Sequence, residues 1–143
     1  MTTVRKLIGK SSRTPVAVSP NDSVLDALRL MADHDIGSVL VLDGGSLAGI
    51  FTERDYARKV TLMGKVSRDT RVRDIMTEKV YYVTPERTVE ECMALMTDKR
   101  CRHLPVLDDQ QRVIGLVSIG DLVKEIISHQ EFLIKQLEDY IKG

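Results

Sequence analysis

The sequence has 143 residues, of which 43% are hydrophobic and 29% charged, and its 21 basic and 21 acidic residues cancel. A chain of this length forms one domain or two small repeated ones and buries on the order of 68% of its surface on folding. Zero net charge argues against general binding to nucleic acid or to a membrane surface. No apolar run approaches the ~20 residues of a membrane span, and the N-terminus lacks a signal peptide's apolar stretch, so we expect a cytoplasmic protein.

The chain contains an internal repeat. When the sequence is shifted by 65 residues, nine of the 28 positions from 16 to 43 carry the same residue in both copies, whereas unrelated sequences would share about two. One extra residue in the second copy changes the shift to 66, which aligns Gly49 with Gly115 and Asp55 with Asp121. We therefore predict repeat 1 over residues 11–66 and repeat 2 over residues 80–130, with an N-terminal segment 1–10, a linker 67–79 and a C-terminal extension 131–143.

Each repeat is predicted to fold as strand, helix, strand, strand and helix. In repeat 1 a short extended segment precedes an amphipathic helix with Ser23 as N-cap, and the apolar run Ser38–Leu42 forms the next strand. In repeat 2 the extended segment is Val80–Val83, the N-cap is Thr88 and the next strand is His103–Leu107. The continuous apolar runs indicate strands that are buried on both faces.

The last strand of each repeat ends in one shared motif, Gly49–Asp55 in repeat 1 and Gly115–Asp121 in repeat 2. The hydroxyl of Thr52 or Ser118 stands at a helix start, and the aspartate three residues on lies near free backbone N–H groups. One interpretation is a capping box, which needs no ligand. The other is a binding site whose backbone donors hold a phosphate and whose aspartate accepts from two ribose hydroxyls. The occurrence of two equivalent copies favours the binding site.

The linker and the C-terminal helix each leave two interpretations open. The connector 65–73 is mostly basic, and its arginines either face solvent or turn toward a phosphate. The final helix is predicted from Ser118 to Lys142, about 37 Å at 1.5 Å per residue. Its broad apolar face needs a partner. That partner is either the chain's own Val4, Leu7 and Ile8 or a second subunit, and we expect a homodimer.

Catalytic and metal-binding motifs are not found in the sequence. The two cysteines match neither Cys-x-x-Cys nor a zinc cluster, so no metal is predicted. Cys92 lies among apolar residues at helical spacing and is predicted to be buried. Cys101 lies between Arg100 and Arg102, whose charges would lower its pKa, so a thiol-based redox protein is one alternative hypothesis.

The doubled pattern resembles the tandem CBS-domain pair, also called a Bateman module. The resemblance rests on the Gly-to-Asp motif of both repeats, on Arg102–Asp108 and on Asp74–Thr77, and it covers residues 10–131. The chain is similar to small stand-alone CBS-pair proteins. This resemblance implies an α+β fold of two β-α-β-β-α repeats, packed as a pseudo-twofold pair with a long C-terminal helix, and no enzymatic activity.

The resemblance also implies a ligand, because family members bind adenosine nucleotides in clefts between the two repeats. We expect AMP, ADP, ATP or NAD, with Asp55 and Asp121 on the ribose hydroxyls and Thr52 and Ser118 beside phosphate. The other implied positions are Leu104 and Pro105 in the nucleotide pocket, and Val16, Val80 and Tyr82 near adenine. Arg54, which follows the first motif where the second has Gly120, either reaches phosphate or covers the surface.

The two clefts are expected to differ in charge. Arg102 and His103 match family positions that face the cleft, whereas repeat 1 has Gly37 and Ser38 there. The second cleft is therefore better supplied for an anion. We predict a regulatory module that senses an adenosine nucleotide and signals to a separate partner protein. The alternatives are a homodimerisation module without ligand and the thiol protein.

Overall fold

The structure is a computed structural model that describes residues 2–10 and 15–142. Within these ranges the chain mixes helices and strands, which confirms the α+β class. The helices are α1 (Val4–Lys10), α2 (Val24–His34), α3 (Glu53–Asp55), α4 (Val72–Ile75), α5 (Val89–Lys99) and α6 (Ile119–Lys142). The strands are β1 (Ala17–Val18), β2 (Ser38–Asp43), β3 (Ser46–Thr52), β4 (His103–Leu107) and β5 (Val113–Ser118). A π-helical segment, Tyr56–Thr61, continues α3, and a 3-10 turn, Ser67–Asp69, precedes α4.

The described residues divide into two compact units. The first unit contains the described residues of 14–81 together with 109–113, and the second contains those of 1–13, 82–108 and 114–143. Repeat 1 therefore lies in the first unit and most of repeat 2 in the second. Both capping predictions are confirmed, because the hydroxyl of Ser23 accepts from Asp26 N–H and that of Thr88 from Glu91 N–H.

The first unit is built on a three-stranded sheet in the order β1-β2-β3. β1 runs parallel to β2, with Ala17 opposite Leu40, and β2 runs antiparallel to β3 with an irregularity between Val41 and Leu42. Phe51 on β3 is completely buried, and side chains from α2, β2 and α4 pack in the same core cluster. This core fixes the end of β3, where the motif of repeat 1 lies.

The second unit has a shorter sheet, in which β4 pairs with β5. The predicted extended segment Val80–Val83 is not a strand, and only Val83 forms a parallel bridge, to Val106. The reason is Pro105, which stands where repeat 1 has Leu40. Leu40 N–H donates to Val16 C=O at 3.1 Å, but a proline has no N–H to donate.

Helices α1 and α4 are equivalent elements, although they precede different repeats. Val4 N–H donates to Arg87 C=O at 2.8 Å in the second unit, and Val72 N–H donates to Asp22 C=O at 2.9 Å in the first. Val72 follows Val4 by 68 residues, and Arg87 follows Asp22 by 65. The N-terminal helix therefore belongs to the unit that contains repeat 2.

Helix α6 extends over 24 residues, as predicted. Its first turns lie beside α1, since Leu7 and Ile8 line the same cavity as Leu116, Lys124 and Glu125. Further along, its apolar side chains are exposed, for example 63% of Leu137. Within the described ranges, no helix has both the length and the apolar character needed to cross a membrane.

Candidate functional site

The motif of repeat 1 forms a capping box at the junction of β3 and α3. Asp55 N–H donates to the Thr52 hydroxyl oxygen at 3.1 Å, and Thr52 N–H donates back to Asp55 Oδ2 at 3.1 Å. The Thr52 hydroxyl lies 3.1 Å from the same Oδ2. The local reason is that the first N–H groups of a helix have no partner within the helix.

The other carboxylate oxygen of Asp55 is also occupied. The Thr77 hydroxyl donates to Oδ1 at 2.9 Å, and the Lys59 ammonium lies 3.0 Å from the same atom. Lys59 also donates to Ile75 C=O at 3.2 Å. Asp55 is only 6% exposed. We call Lys59 and Thr77 the Asp55 clamp, because together they cover the oxygen that the capping box leaves open.

The motif of repeat 2 has the same capping box and no clamp. Asp121 N–H donates to the Ser118 hydroxyl at 3.1 Å, and Ser118 N–H donates to Asp121 Oδ2 at 3.1 Å. Asp121 is half-buried. Among residues 2–10 and 15–142, no hydrogen bond or ion pair reaches its Oδ1. One carboxylate oxygen of Asp121 is thus available to a ligand.

A cavity of about 290 Å³ lies beside Asp121, within the second unit. This volume is near the lower end of the range for small-molecule sites. Its lining is partly apolar and partly charged. Its lining residues are Leu7, Ile8, Lys10, Leu116, Val117, Asp121, Lys124, Glu125 and Ser128. Lys10 lies 3.5 Å from Glu125 Oε1, so this pair holds α1 against α6 across the cavity.

The charges at the two helix starts differ in sign. Ile119 N–H donates to Arg102 C=O at 2.8 Å, and the equivalent bond in repeat 1 joins Glu53 N–H to Gly37 C=O at 3.0 Å. The Glu53 carboxylate lies over Gly37, since a Cβ there would stand 3.5 Å from its Oε1. Repeat 1 thus has the Glu53 carboxylate beside Gly37, and repeat 2 has the exposed Arg102 at the position of Gly37. This difference has the sign expected from the sequence, which gave the second cleft more positive charge.

His103 follows Arg102 at the start of β4. Desolvation by the surrounding protein lowers the pKa of His103, the negative charge of Asp121 opposes this, and Arg102 lowers it further. A lowered pKa favours the neutral imidazole, which offers one donor and one acceptor.

The remaining predicted residues differ in their access to solvent. Leu104 and Pro105 are buried in β4, so their side chains pack in the core. Val16 and Val80 are half-buried, Arg54 is exposed and Tyr82 is 44% exposed. Their roles at the nucleotide stay predictions.

Sequence reasoning missed the clamp residues Lys59 and Thr77 and the polar cavity residues Lys10, Lys124, Glu125 and Ser128. A signal was present, because Val4-Arg5 before repeat 1 matches Val72-Arg73 before repeat 2. This match aligns α1 with α4 and would have shown which residues stand opposite each aspartate.

The electrostatic basis of the redox hypothesis is wrong. Cys101 was expected to have a low pKa beside two arginines, but burial raises the pKa of Cys101. Burial and the nearby Glu91 likewise raise the pKa of Cys92 to about 11. A raised pKa disfavours the thiolate, which is the reactive form of a cysteine.

We expect both cysteines to react slowly at pH 7. Because a raised pKa lowers the thiolate fraction, Cys101 should be alkylated several-fold more slowly than free cysteine, and the buried Cys92 more slowly still. The measurement is iodoacetamide labelling followed by mass spectrometry, with the urea-unfolded protein as control. Labelling of Cys101 faster than free cysteine would restore the redox hypothesis.

The part of the chain that the structure describes contains no group of three or more His, Cys, Asp or Glu side chains that could hold a metal ion. Asp121 and Glu125 lie one helical turn apart on α6, and Glu125 is already paired with Lys10.

Comparison with known proteins places these motifs in one family. A family model for the CBS domain matches residues 4–61 and 72–128. The mitochondrial CBS domain-containing protein CBSX3 of Arabidopsis thaliana is 45% identical over 128 residues, which are 86% of this chain and 62% of that protein. The chain therefore spans less than two thirds of the length of this relative.

Solved structures agree with the family match. A CBS-domain protein from Burkholderia ambifaria MC40-6 is 55% identical, with a TM-score of 0.82 over 90% of this chain and 96% of that one. The CBS-domain pair of protein MJ0100 is 26% identical, with a TM-score of 0.77 over 90% of this chain and 98% of that one. The MJ0100 structure is a complex with 5′-methylthioadenosine and S-adenosyl-L-methionine.

Proposed function

This chain belongs to the CBS-domain family, and from that premise we propose that it is a regulatory module that binds an adenosine nucleotide beside Asp121. The observation that carries the proposal is the open oxygen of Asp121 at a cavity of about 290 Å³. The ligands of MJ0100 support it, because both contain an adenosine group.

The chemistry of the site fits the two parts of a nucleotide. A carboxylate oxygen accepts hydrogen bonds from ribose hydroxyls, and an apolar wall accepts the face of an adenine ring. Leu7, Ile8 and Leu116 supply that wall beside Asp121. The exposed guanidinium of Arg102 and the start of the 24-residue helix α6 both favour a phosphate. AMP, ADP, ATP and NAD share these groups.

A regulatory role requires that nucleotide binding changes the conformation of the surface that a partner protein binds. A ligand shifts a conformational equilibrium only by its differential affinity for the two states. Helix α1 and helix α6 both line the cavity, so a ligand there contacts two elements at once. We propose that the signal passes to a separate protein, and a cytoplasmic location stays a prediction.

The test is a binding titration with AMP, ADP, ATP and NAD. At a concentration 100 times its Kd, a ligand that binds only the folded state stabilises it by about 2.7 kcal/mol, which raises the melting temperature by several degrees. GMP, with the same ribose and phosphate, is the matched control for the base. If no adenosine nucleotide binds below millimolar concentration by calorimetry, the proposed function is wrong.

A second function, homodimerisation, is favoured by the exposed apolar face of α6. Leu137, Tyr140 and Ile141 are 63%, 85% and 82% exposed. An apolar face of this kind typically marks a contact with another protein. We propose a second copy of this chain as the partner, and this proposal is compatible with nucleotide binding.

Substitution of Leu137 by Glu should weaken that dimer. A carboxylate in an apolar interface must be desolvated without a partner, so the dimer is expected to dissociate at micromolar concentration. Light scattering should report about 32 kDa, twice 16.1 kDa, for the unmodified chain and about 16 kDa for the variant. Gln136→Glu adds the same charge at a neighbouring exposed position and serves as control. A monomeric unmodified chain, or an unchanged mass for Leu137→Glu, would contradict this role.

A further inference from the structure

The two motifs look equivalent in sequence, but only one has an open carboxylate. We infer that each chain holds one nucleotide, at Asp121, and that Lys59 and Thr77 permanently occupy the corresponding position of repeat 1. This inference rests on the proposed function and adds to it the number and the place of the ligands.

Asp55 has no oxygen left for a ribose. Its Oδ2 accepts from Thr52, and its Oδ1 accepts from Thr77 at 2.9 Å and lies 3.0 Å from the Lys59 ammonium. The Thr77 hydroxyl and the Lys59 ammonium therefore offer Oδ1 the donors that two ribose hydroxyls would offer. A ligand at Asp55 would first have to displace a charged donor from a carboxylate that is 6% exposed.

The equivalent positions of repeat 2 carry residues that cannot form such a clamp. The shift of 68 residues that aligns α1 with α4 places Gly9 at the position of Thr77, and the shift of 66 places Glu125 at that of Lys59. Glycine has no hydroxyl, and a carboxylate repels Asp121 instead of pairing with it. Glu125 instead accepts from Thr2 at 3.1 Å and pairs with Lys10.

The backbone reinforces the difference. Ile50 and Thr77 exchange two backbone hydrogen bonds, each 2.9 Å long, and these bonds pair the segment after α4 with β3. The aligned residues are Leu116 and Gly9, but α1 continues through Gly9 to Lys10, and in the described part of the chain no backbone hydrogen bond joins Gly9 to Leu116. Leu116 instead lines the cavity of about 290 Å³ beside Asp121.

Charge at the helix starts points the same way. At repeat 1 the Glu53 carboxylate lies over Gly37 and is followed by the exposed Arg54, whereas repeat 2 has the exposed Arg102 at the position of Gly37 and no acid at that of Glu53.

The experiment counts sites with AMP as the probe. Isothermal titration of the full chain should give one AMP per chain. A variant with Lys59→Glu and Thr77→Gly copies the repeat 2 residues into repeat 1 and should bind two. Lys59→Ala with Thr77→Ala removes the clamp without adding a charge and keeps the test valid if the first variant does not fold. Circular dichroism and melting temperature verify folding.

The reciprocal variant transfers the clamp lysine to repeat 2. Glu125→Lys places an ammonium four residues after Asp121, as Lys59 stands four residues after Asp55, and it should weaken AMP binding at least about tenfold.

Two AMP per unmodified chain, or one AMP per chain in both folded clamp-free variants, would overturn the inference while nucleotide binding itself stands. Binding of no AMP, ADP, ATP or NAD by any variant would instead overturn the proposed function, and the inference with it.

Discussion

Substitution of Gly49 by Ala is expected to lower the free energy of unfolding by about 2 to 3 kcal/mol, a typical cost of overpacking a tight contact. A Cβ at Gly49 would stand 2.8 Å from the carbonyl oxygen of Thr77 and 2.9 Å from the sulfur of Met76. The carbonyl belongs to the backbone that pairs with Ile50, so it cannot rotate away. The new methyl group must therefore break that pairing or displace the clamp residue Thr77.

Gly115 provides the matched control, because it is the equivalent glycine of repeat 2. A Cβ there would stand 3.0 Å from the Cγ2 methyl of Ile8, a side-chain contact that a shift of a few tenths of an ångström relieves, whereas the Thr77 carbonyl is backbone. Gly115→Ala should thus cost about 1 kcal/mol or less. Urea unfolding of both variants measures the difference. Equal destabilisation by the two substitutions would show that the close contact between Gly49 and the Thr77 carbonyl is not what makes Gly49 sensitive.

Substitution of Asp121 by Asn is expected to weaken AMP binding by about 10- to 150-fold, which corresponds to about 1.5 to 3 kcal/mol for hydrogen bonds to a charged acceptor. The fold should persist, since an asparagine oxygen can still accept from Ser118 N–H, as Asp121 does at 3.1 Å. Asp109→Asn, in the exposed turn before β5, removes the same charge away from the cavity and should leave the Kd unchanged.

A double cycle with 2′-deoxy-AMP identifies the contact that is lost. If Asp121 holds the ribose hydroxyls, the deoxy ligand loses affinity for the unmodified chain but little more for the Asn variant. Calorimetry of the four combinations gives the coupling between the carboxylate and the hydroxyl. Additive losses would show that Asp121 acts elsewhere, for example only on the start of α6.

Much of the fold followed from short-range patterns in the sequence. Ser23 and Thr88 were predictable as N-caps, because capping depends on residues three positions apart. The length of α6 followed from its helical periodicity. Repeat 2 has no strand equivalent to β1, and Pro105 gave a sequence signal for this because proline has no N–H for the sheet. The consequence depends on which strand Pro105 pairs with, as Leu40 pairs with Val16 in repeat 1.

The difference between the two sites could not be predicted in the same way. Thr77 lies 22 residues after Asp55, and Gly9 lies more than 100 residues before Asp121. The motif itself favoured equal roles for Asp55 and Asp121, and the sequence indicated two asymmetries, Arg102 against Gly37 and Arg54 against Gly120. Which donors reach each carboxylate depends on tertiary packing of α1 and of the chain after α4.

A crystal structure of the full chain grown with AMP tests the central claim most directly. We expect both ribose hydroxyls within about 3 Å of the Asp121 carboxylate, which is hydrogen-bond distance. We also expect an unchanged pair between Asp55 and Lys59 in repeat 1. A nucleotide bound away from Asp121, or an Asp121 carboxylate that contacts only Ser118 while AMP is present, would contradict it.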